Sequence, residues 1–152
     1  MQIVTWSPIY KSDFIRLNKA WIERYFKLEE CDYRTLGNPE AVIIDNGGQI
    51  FFAIDGDEVV GCCALIHHPD NDTYELAKMA VNPASQGRGA GFMLGSALIK
   101  YARNLGVSEI FLEANTALQA SVHLYEKLGF RAVADYHAEY ERCDLFMRLQ
   151  LR

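Results

Sequence analysis

The residues best suited to chemistry lie in one run, Val81-Asn82-Pro83-Ala84-Ser85-Gln86-Gly87-Arg88-Gly89-Ala90-Gly91. Gly87, Gly89 and Gly91 alternate along it, between a predicted strand and a predicted amphipathic helix. Glycines at such a junction leave backbone N–H groups unscreened by a Cβ, and the helix N-terminus adds partial positive charge. The turn therefore suits a phosphate or pyrophosphate, with Arg88 as a further positive contact. The plainer reading is that the glycines serve only close strand–helix packing. Two nucleotide patterns fail. Phe92 and Leu94 stand where the third glycine of G-x-G-x-x-G would fall, and no G-K-[ST] follows. Hydride-transfer and phosphoryl-transfer nucleotide enzymes are thereby disfavoured.

The elements that must position this turn follow from periodicity. Gln2 to Trp6 alternates as a first strand, and Ser12 or Asp13 is placed to cap a helix carrying Phe14, Leu17, Trp21 and Tyr25. A shorter helix over Glu30 to Leu36 stops at Gly37-Asn38-Pro39, and Glu40 to Ile44 is ambiguous. Ile50 to Ile54 and Glu58 to Ile66 read as a hairpin across Asp55-Gly56-Asp57, with Tyr74 to Val81 as the next strand after a turn at His68 to Asp72. Leu94, Leu98, Tyr101 and Leu105 form the apolar stripe of the helix after the glycines, which ends at Gly106. Ile110 to Ala114 is a strand, and Thr116-Ala117-Leu118-Gln119 matches a capping box for a helix through Leu128. Strands near Phe130 to Ala134 and Cys143 to Leu149 complete an α/β chain with an antiparallel first half and one parallel pairing.

Composition narrows the classes. The chain has 152 residues, half of them hydrophobic, which is enough for one domain with a real core. The longest apolar stretch is the eight residues Val59 to Ile66, too short to span a membrane, and the N-terminus lacks the pattern of a secretory signal. A formal charge of −5 with no Lys/Arg cluster disfavours nucleic acid as a partner. Cys31, Cys62, Cys63 and Cys143 include no C-x-x-C, and adjacent Cys62 and Cys63 point to opposite strand faces, so packed thiols in a cytoplasmic protein are expected. His67, His68, His123 and His137 show no metal-ligand spacing and read as surface or turn groups, so no metal is implied.

Gln86-Gly87-Arg88-Gly89-Ala90-Gly91 resembles the (Gln/Arg)-x-x-Gly-x-(Gly/Ala) motif with which GNAT-superfamily N-acetyltransferases cradle the coenzyme A pyrophosphate. Tyr74-Glu75-Leu76-Ala77-Lys78-Met79-Ala80-Val81 is similar to the strand before that motif. Leu112-Glu113-Ala114-Asn115 and Leu124-Tyr125-Glu126-Lys127-Leu128-Gly129-Phe130 are similar to the later strand and the tyrosine helix ending in Gly-Phe. The order of elements agrees across nearly the whole chain. The resemblance implies one N-acetyltransferase domain over 1–152, with a mixed, mostly antiparallel sheet of six to seven strands flanked by about four helices.

It also implies roles. Acetyl-CoA would be the donor, lying along the strand where the backbone splays at a bulge. Met79, Ala80 and Val81 would contact it through main-chain groups, the Met79 N–H serving as oxyanion donor, and Gln86, Gly87, Arg88, Gly89, Ala90, Gly91 and Phe92 would hold the pyrophosphate. Glu75 matches a carboxylate that acts as general base in some members. It shares strand parity with Met79 and Val81 before any bulge is counted, and its alternative is an ion-paired carboxylate beside Lys78. Tyr125 matches the acid that protonates the leaving thiolate, its alternative being a packing tyrosine in line with Leu118 and Val122. Asn115 would bond the pantetheine or else simply end a turn, and Ser121 would add a hydroxyl contact. No cysteine lies in these segments, so the amine is expected to attack the thioester directly in a ternary complex.

The acceptor would lie between the first helices and the last strands, where Trp21, Tyr25, Phe26, Tyr33, Tyr136 and Tyr140 supply aromatic walls and Arg142 a partner for a carboxylate. Glu23 to Asp45 holds six acidic and three basic residues, which favours a cationic amine unless the run is only a solvated face. The expected acceptor is a small or amino-acid-like primary amine. The alternatives are a non-catalytic acyl-CoA-binding or sensing domain and a peptide or protein N-acetyltransferase. The resemblance is also compatible with a homodimer.

Overall fold

An unbroken apolar run such as Val59–Ile66 needs cover on both faces of its strand. The computed structural model, which describes residues 1–152, supplies that cover with helices on both sides of a seven-stranded sheet. The elements are β1 (Gln2–Thr5), α1 (Lys11–Tyr25), α2 (Glu30–Gly37), β2 (Gln49–Asp55), β3 (Glu58–His68), β4 (Thr73–Val81), α3 (Ala90–Asn104), β5 (Glu109–Ala114), α4 (Gln119–Leu128), β6 (Arg131–Val133) and β7 (Leu145–Gln150). The strand order is β1-β2-β3-β4-β5-β7-β6, antiparallel throughout except for the parallel pair β4–β5. No helix is long and apolar enough to cross a membrane.

Strand periodicity divides the core in two. Phe51, Cys63 and Leu65 pack with Leu94 and Leu98 of α3 on one face. Phe52, Cys62 and Ala64 pack with Phe14 and Leu17 of α1 and Leu36 of α2 on the other. Burial pushes the Cys62 thiol up to about 12 and Cys63 well above its ordinary value, so both thiols are inert packing groups.

Several helix ends differ from the sequence reading. Neither Ser12 nor Asp13 caps α1, which continues from a 3-10 turn at Pro8–Tyr10, and Asp13 pairs instead with Arg16 at 3.0 Å. The ambiguous Glu40–Ile44 is a π-helical turn. The capping box at Thr116 does not form. Thr116 donates both its N–H (2.8 Å) and its hydroxyl (2.7 Å) to Asp144, so α4 begins at Gln119 with Leu118 as its cap. Leu105 falls past the end of α3 and is half exposed rather than part of the apolar stripe. β3 runs through His68, two residues beyond the expected end.

Two irregularities at the sheet centre open space for a ligand. Cys62 pairs with Ala80 and Ala64 with Ala77, so Lys78 and Met79 together oppose the single residue Cys63. This is a β-bulge, and Lys78 takes a left-handed φ of 56° to make it. The extra residue inverts the strand's parity. Leu76 and Met79 face the α3 side, whereas Ala77 and Ala80 pack on the α1 side. Glu75 and Met79 are therefore on opposite faces, which corrects the shared parity read from the sequence. Beside the bulge, β4 and β5 register only at Glu75 and Phe111 and then diverge.

Candidate active site

The α3 N-terminus lies at one end of this splay. Gly87 and Gly89 take φ of 82° and 84°, and a Cβ built on either would meet open space. These two glycines are needed for a left-handed backbone, not for packing. Gly91 is different. A Cβ there would lie 2.9 Å from Leu124 Cδ2, so its small size is what lets α4 pack on α3. From Gly87 to Phe92 no backbone N–H donates to an acceptor within the protein, and the first to do so is Met93, at 3.0 Å from the Gly89 carbonyl. Six consecutive free donors, three before and three within the first turn of the 15-residue α3, form a cradle for an anion, and a pyrophosphate fits it chemically. Arg88 is drawn aside by Asp55 at 2.7 Å, and Gln86 donates to the Val81 carbonyl at 3.4 Å. Phe92 is partly exposed, with the Lys127 ammonium 4.6 Å above its ring.

A cleft of about 100 Å³ opens where β4 and β5 diverge. Leu76 to Met79 form its floor, Ala114, Asn115, Leu118, Ser121 and Tyr125 one side, and Trp21, Ile22, Phe26, Tyr140 and Arg142 the other. Tyr125 packs edge-on against Phe130 at 6.2 Å, and burial raises its phenol well above the ordinary value, so it is protonated. Asn115 is occupied within the protein. Its amide donates to the Arg142 carbonyl at 2.7 Å and accepts from the Ala117 N–H at 2.8 Å, which is the turn chemistry weighed from the sequence. Ala80 is fully buried, and neither it nor Val81 lines the cleft.

The opposite end is dominated by ionised groups. Asp32 is fully buried and accepts from Lys78 Nζ at 2.5 Å and from both terminal nitrogens of Arg142 at 2.7 and 2.8 Å. Burial alone would raise its pKa, but the Arg142 hydrogen bonds and the Lys78 charge hold it far below the ordinary carboxylate range. Arg142 also reaches Glu29 at 3.1 Å, and the Tyr140 ring lies between the two cations, 5.1 Å from Lys78 Nζ and 4.4 Å from the Arg142 guanidinium carbon. The cluster ties α2, the β4 bulge and the 140–142 segment into one wall. Beside it lie two more carboxylates. Glu75 is nearly fully buried and bonds His68 Nε2 at 2.8 Å. Glu113 accepts the N–H groups of Glu139 (2.9 Å) and Tyr140 (3.1 Å), and burial, with a smaller contribution from the Glu75 charge, pushes its carboxyl up.

The cleft thus gathers Glu75, Met79, Asn115, Ser121, Tyr125, Trp21, Tyr140 and Arg142. Tyr25 and Tyr33 are exposed and do not line it, and Tyr136 stacks on Phe146 at 5.1 Å. Of the acidic run, Glu29 and Asp32 reach the site, where both are ion-paired, while Glu23, Glu30 and Asp45 are exposed. His68, expected as a surface or turn group, lies at the end of β3 and is half-buried against Glu75. No cluster of three or more His, Cys, Asp or Glu side chains is arranged to hold a metal.

A splayed parallel pair beside a bulged strand, ending at an anion cradle, defines a class of protein. The family model of the acetyltransferase (GNAT) family matches residues 6–130, and the chain belongs to this family of acyltransferases. It is 32% identical over 108 residues to the N-acetylaspartate synthetase of Danio rerio, covering 70% of this chain and 38% of that protein, well under half its length. A GNAT-family acetyltransferase from Staphylococcus aureus shares the fold with a TM-score of 0.87 at 22% identity, over 99% of both chains. A Salmonella typhimurium protein solved with its cofactor acetyl-CoA does so with a TM-score of 0.79 at 24% identity, over 100% of this chain and 94% of that one.

Proposed function

We propose that this protein transfers an acetyl group from acetyl-CoA to the primary amine of a small, cationic or amino-acid-like acceptor, by direct attack in a ternary complex. The observation that carries the reading is the run of six unpartnered N–H groups at Gly87–Phe92, set at one end of the splay that Tyr125 lines. When bound, acetyl-CoA supplies the activated acyl carbon and a thiolate leaving group. The cradle holds its pyrophosphate. The Met79 N–H, at the bulge, donates to the oxygen that gains charge as the amine adds to the carbonyl. Glu75 takes the proton that keeps the amine, with pKa ~10, from being a nucleophile. Tyr125 gives a proton to the departing sulfur.

The acceptor class is supported by the carboxylates of Glu75 and Glu113 beside the aromatic walls of Trp21, Phe26 and Tyr140. Arg142 spends three hydrogen bonds on Asp32 and Glu29, so an acceptor carboxylate would have to compete for its remaining donors. Four unpaired cysteines, three of them buried, suit a cytoplasmic setting.

Gly89→Val tests the cradle. A branched residue at a φ of 84° is strained by roughly 1–2 kcal/mol, which disfavours the backbone turn that aligns the N–H groups. Calorimetry is expected to show coenzyme A affinity down by about tenfold or more with the protein still folded. Normal affinity would remove the loop from the binding site. Glu75→Gln is expected to lower kcat/KM by about 10² while leaving coenzyme A affinity unchanged, and a variant of full activity would remove Glu75 as the base.

A further inference from the structure

A carboxylate that accepts a proton inside a narrow cleft must pass it on before the next turnover, and the surroundings of Glu75 offer one route. Its side chain is 3% exposed, and its Oε1 lies 2.8 Å from Nε2 of His68, whose own side chain is 31% exposed. Two hollows meet at this carboxylate. One is the cleft, and the other, on the far side, is walled by Arg34, Ile66, His67, His68 and Glu139. Glu75 and Tyr140 line both, whereas His68 lines only the outer one. Phe111 of β5 lies against the imidazole, with ring centroids 5.7 Å apart and planes tilted by 32°.

We propose that His68 is the proton exit of the acyl-transfer site, receiving through Glu75 the proton that the acceptor ammonium gives up. This rests on the reading of Glu75 as the base. The ammonium N–H bond breaks and its proton passes to the Glu75 carboxylate. The carboxylic acid hands its proton to the lone pair of Nε2 in the Nδ1–H tautomer of neutral His68, and the imidazolium then releases its Nδ1 proton to solvent through the outer hollow. The electron pair of the broken bond stays on nitrogen and forms the new bond to the acyl carbon. Glu75 ends ionised as it began, and His68 ends neutral with its proton on Nε2, so a turn of the ring restores the starting arrangement before the next proton arrives. His68 does not touch the cleft, so it is a positioning residue for Glu75 that also carries the proton out.

The relay needs His68 neutral. The groups facing it are Glu75 from β4, Glu113 from β5 and Glu139 from the segment before β7, with Arg34 of α2 and His67 of β3 also lining the hollow. The Glu75 hydrogen bond, partly opposed by burial and aided by the three carboxylate charges, raises the imidazole pKa above its usual value. Transfer should accordingly rise with pH through a limb lying above an ordinary histidine's ~6.5.

The test is kcat/KM against pH for wild type and His68→Gln, with thermal unfolding of each. Glutamine can keep a hydrogen bond to Glu75 but cannot carry the proton. The expected variant is folded, binds coenzyme A normally, loses the limb and turns over about tenfold or more slower. His68→Gly should regain rate in proportion to added imidazole free base. An unchanged rate and limb in His68→Gln, or a slow His68→Gly that imidazole does not rescue, would overturn the relay while leaving the acetyl-transfer reading in place. NMR titration covers the case of a variant that does not fold. The His68 ring of wild type should titrate above ~6.5 and drop toward that value in Glu75→Gln, and identical titration in the two would count against the relay. Absence of transfer by wild type to every amine would overturn both readings.

Discussion

Tyr125→Phe is expected to lower kcat by about 10² or more while changing coenzyme A affinity by less than about twofold. The substitution removes one oxygen and leaves the edge-on contact with Phe130 intact, so packing against the α3-side core should be retained. The phenol lines the cleft and donates to no acceptor in the protein, which leaves its proton for a ligand atom. Burial raises the phenol pKa, which by itself makes it a weaker acid toward a thiolate of ~8.5 in water. The same low-polarity surroundings raise a thiol as well, as they do for neighbouring Cys63. A ligand thiolate held in the same surroundings would be shifted in the same direction as the phenol. Steady-state kinetics with calorimetry checks this. Unchanged turnover would return Tyr125 to a packing role.

Asp32→Ala is expected to be the most destabilising of the single substitutions considered, at about 3–5 kcal/mol, out of a total of roughly 5–15 kcal/mol for an ordinary domain. Lys78 is 2% exposed and Arg142 19%, and alanine would leave both cations beside an empty position with Glu29 alone as counter-charge. Removing Lys78 as well, in Asp32→Ala/Lys78→Met, should recover much of the loss, because no lone ammonium is then buried. Urea denaturation of the two variants measures this, and a single-variant loss below about 1 kcal/mol would contradict it. The pH dependence has a definite sign. The Asp32 pKa is depressed in the folded protein, so its stabilisation is fully present above the unfolded value of ~3.9 and is lost as pH falls below that. The cluster anchors α2 and the 140–142 segment, so residual folded Asp32→Ala should also show a raised acceptor KM.

What could be read from the sequence was whatever has a local period or a local turn. The two faces of β3, the α3 stripe through Leu98, and the junction at Gly87 and Gly89 all follow from spacing along the chain. What could not be read depends on one residue of register or on partners far apart in sequence. The bulge at Lys78 inverts which side Met79 faces, and no pattern in Leu76-Ala77-Lys78-Met79 marks it. Asp32, Lys78 and Arg142 are separated by 46 and 110 positions from Asp32 outward, so each looks like an ordinary surface charge until the fold joins them. The Thr116 capping box failed because Asp144 competes for the same hydroxyl and N–H from 28 positions away. The place of His68 is hidden for the same reason: β3 outlasts its apolar run by two residues, which sets the imidazole on the sheet opposite Thr73, diagonal to Glu75 and within reach of it.

The most direct test of acetyl transfer is thiol release from acetyl-CoA against a panel of amino acids, polyamines, aminoglycosides and short peptides, with products identified by mass spectrometry. The account predicts release that requires a free small amine and yields its N-acetyl derivative, slowed in Tyr125→Phe and weakened at a fixed low acetyl-CoA concentration in Gly89→Val. Tight coenzyme A binding with no release for any amine, or acetylation of peptides far faster than of every small amine, would contradict it.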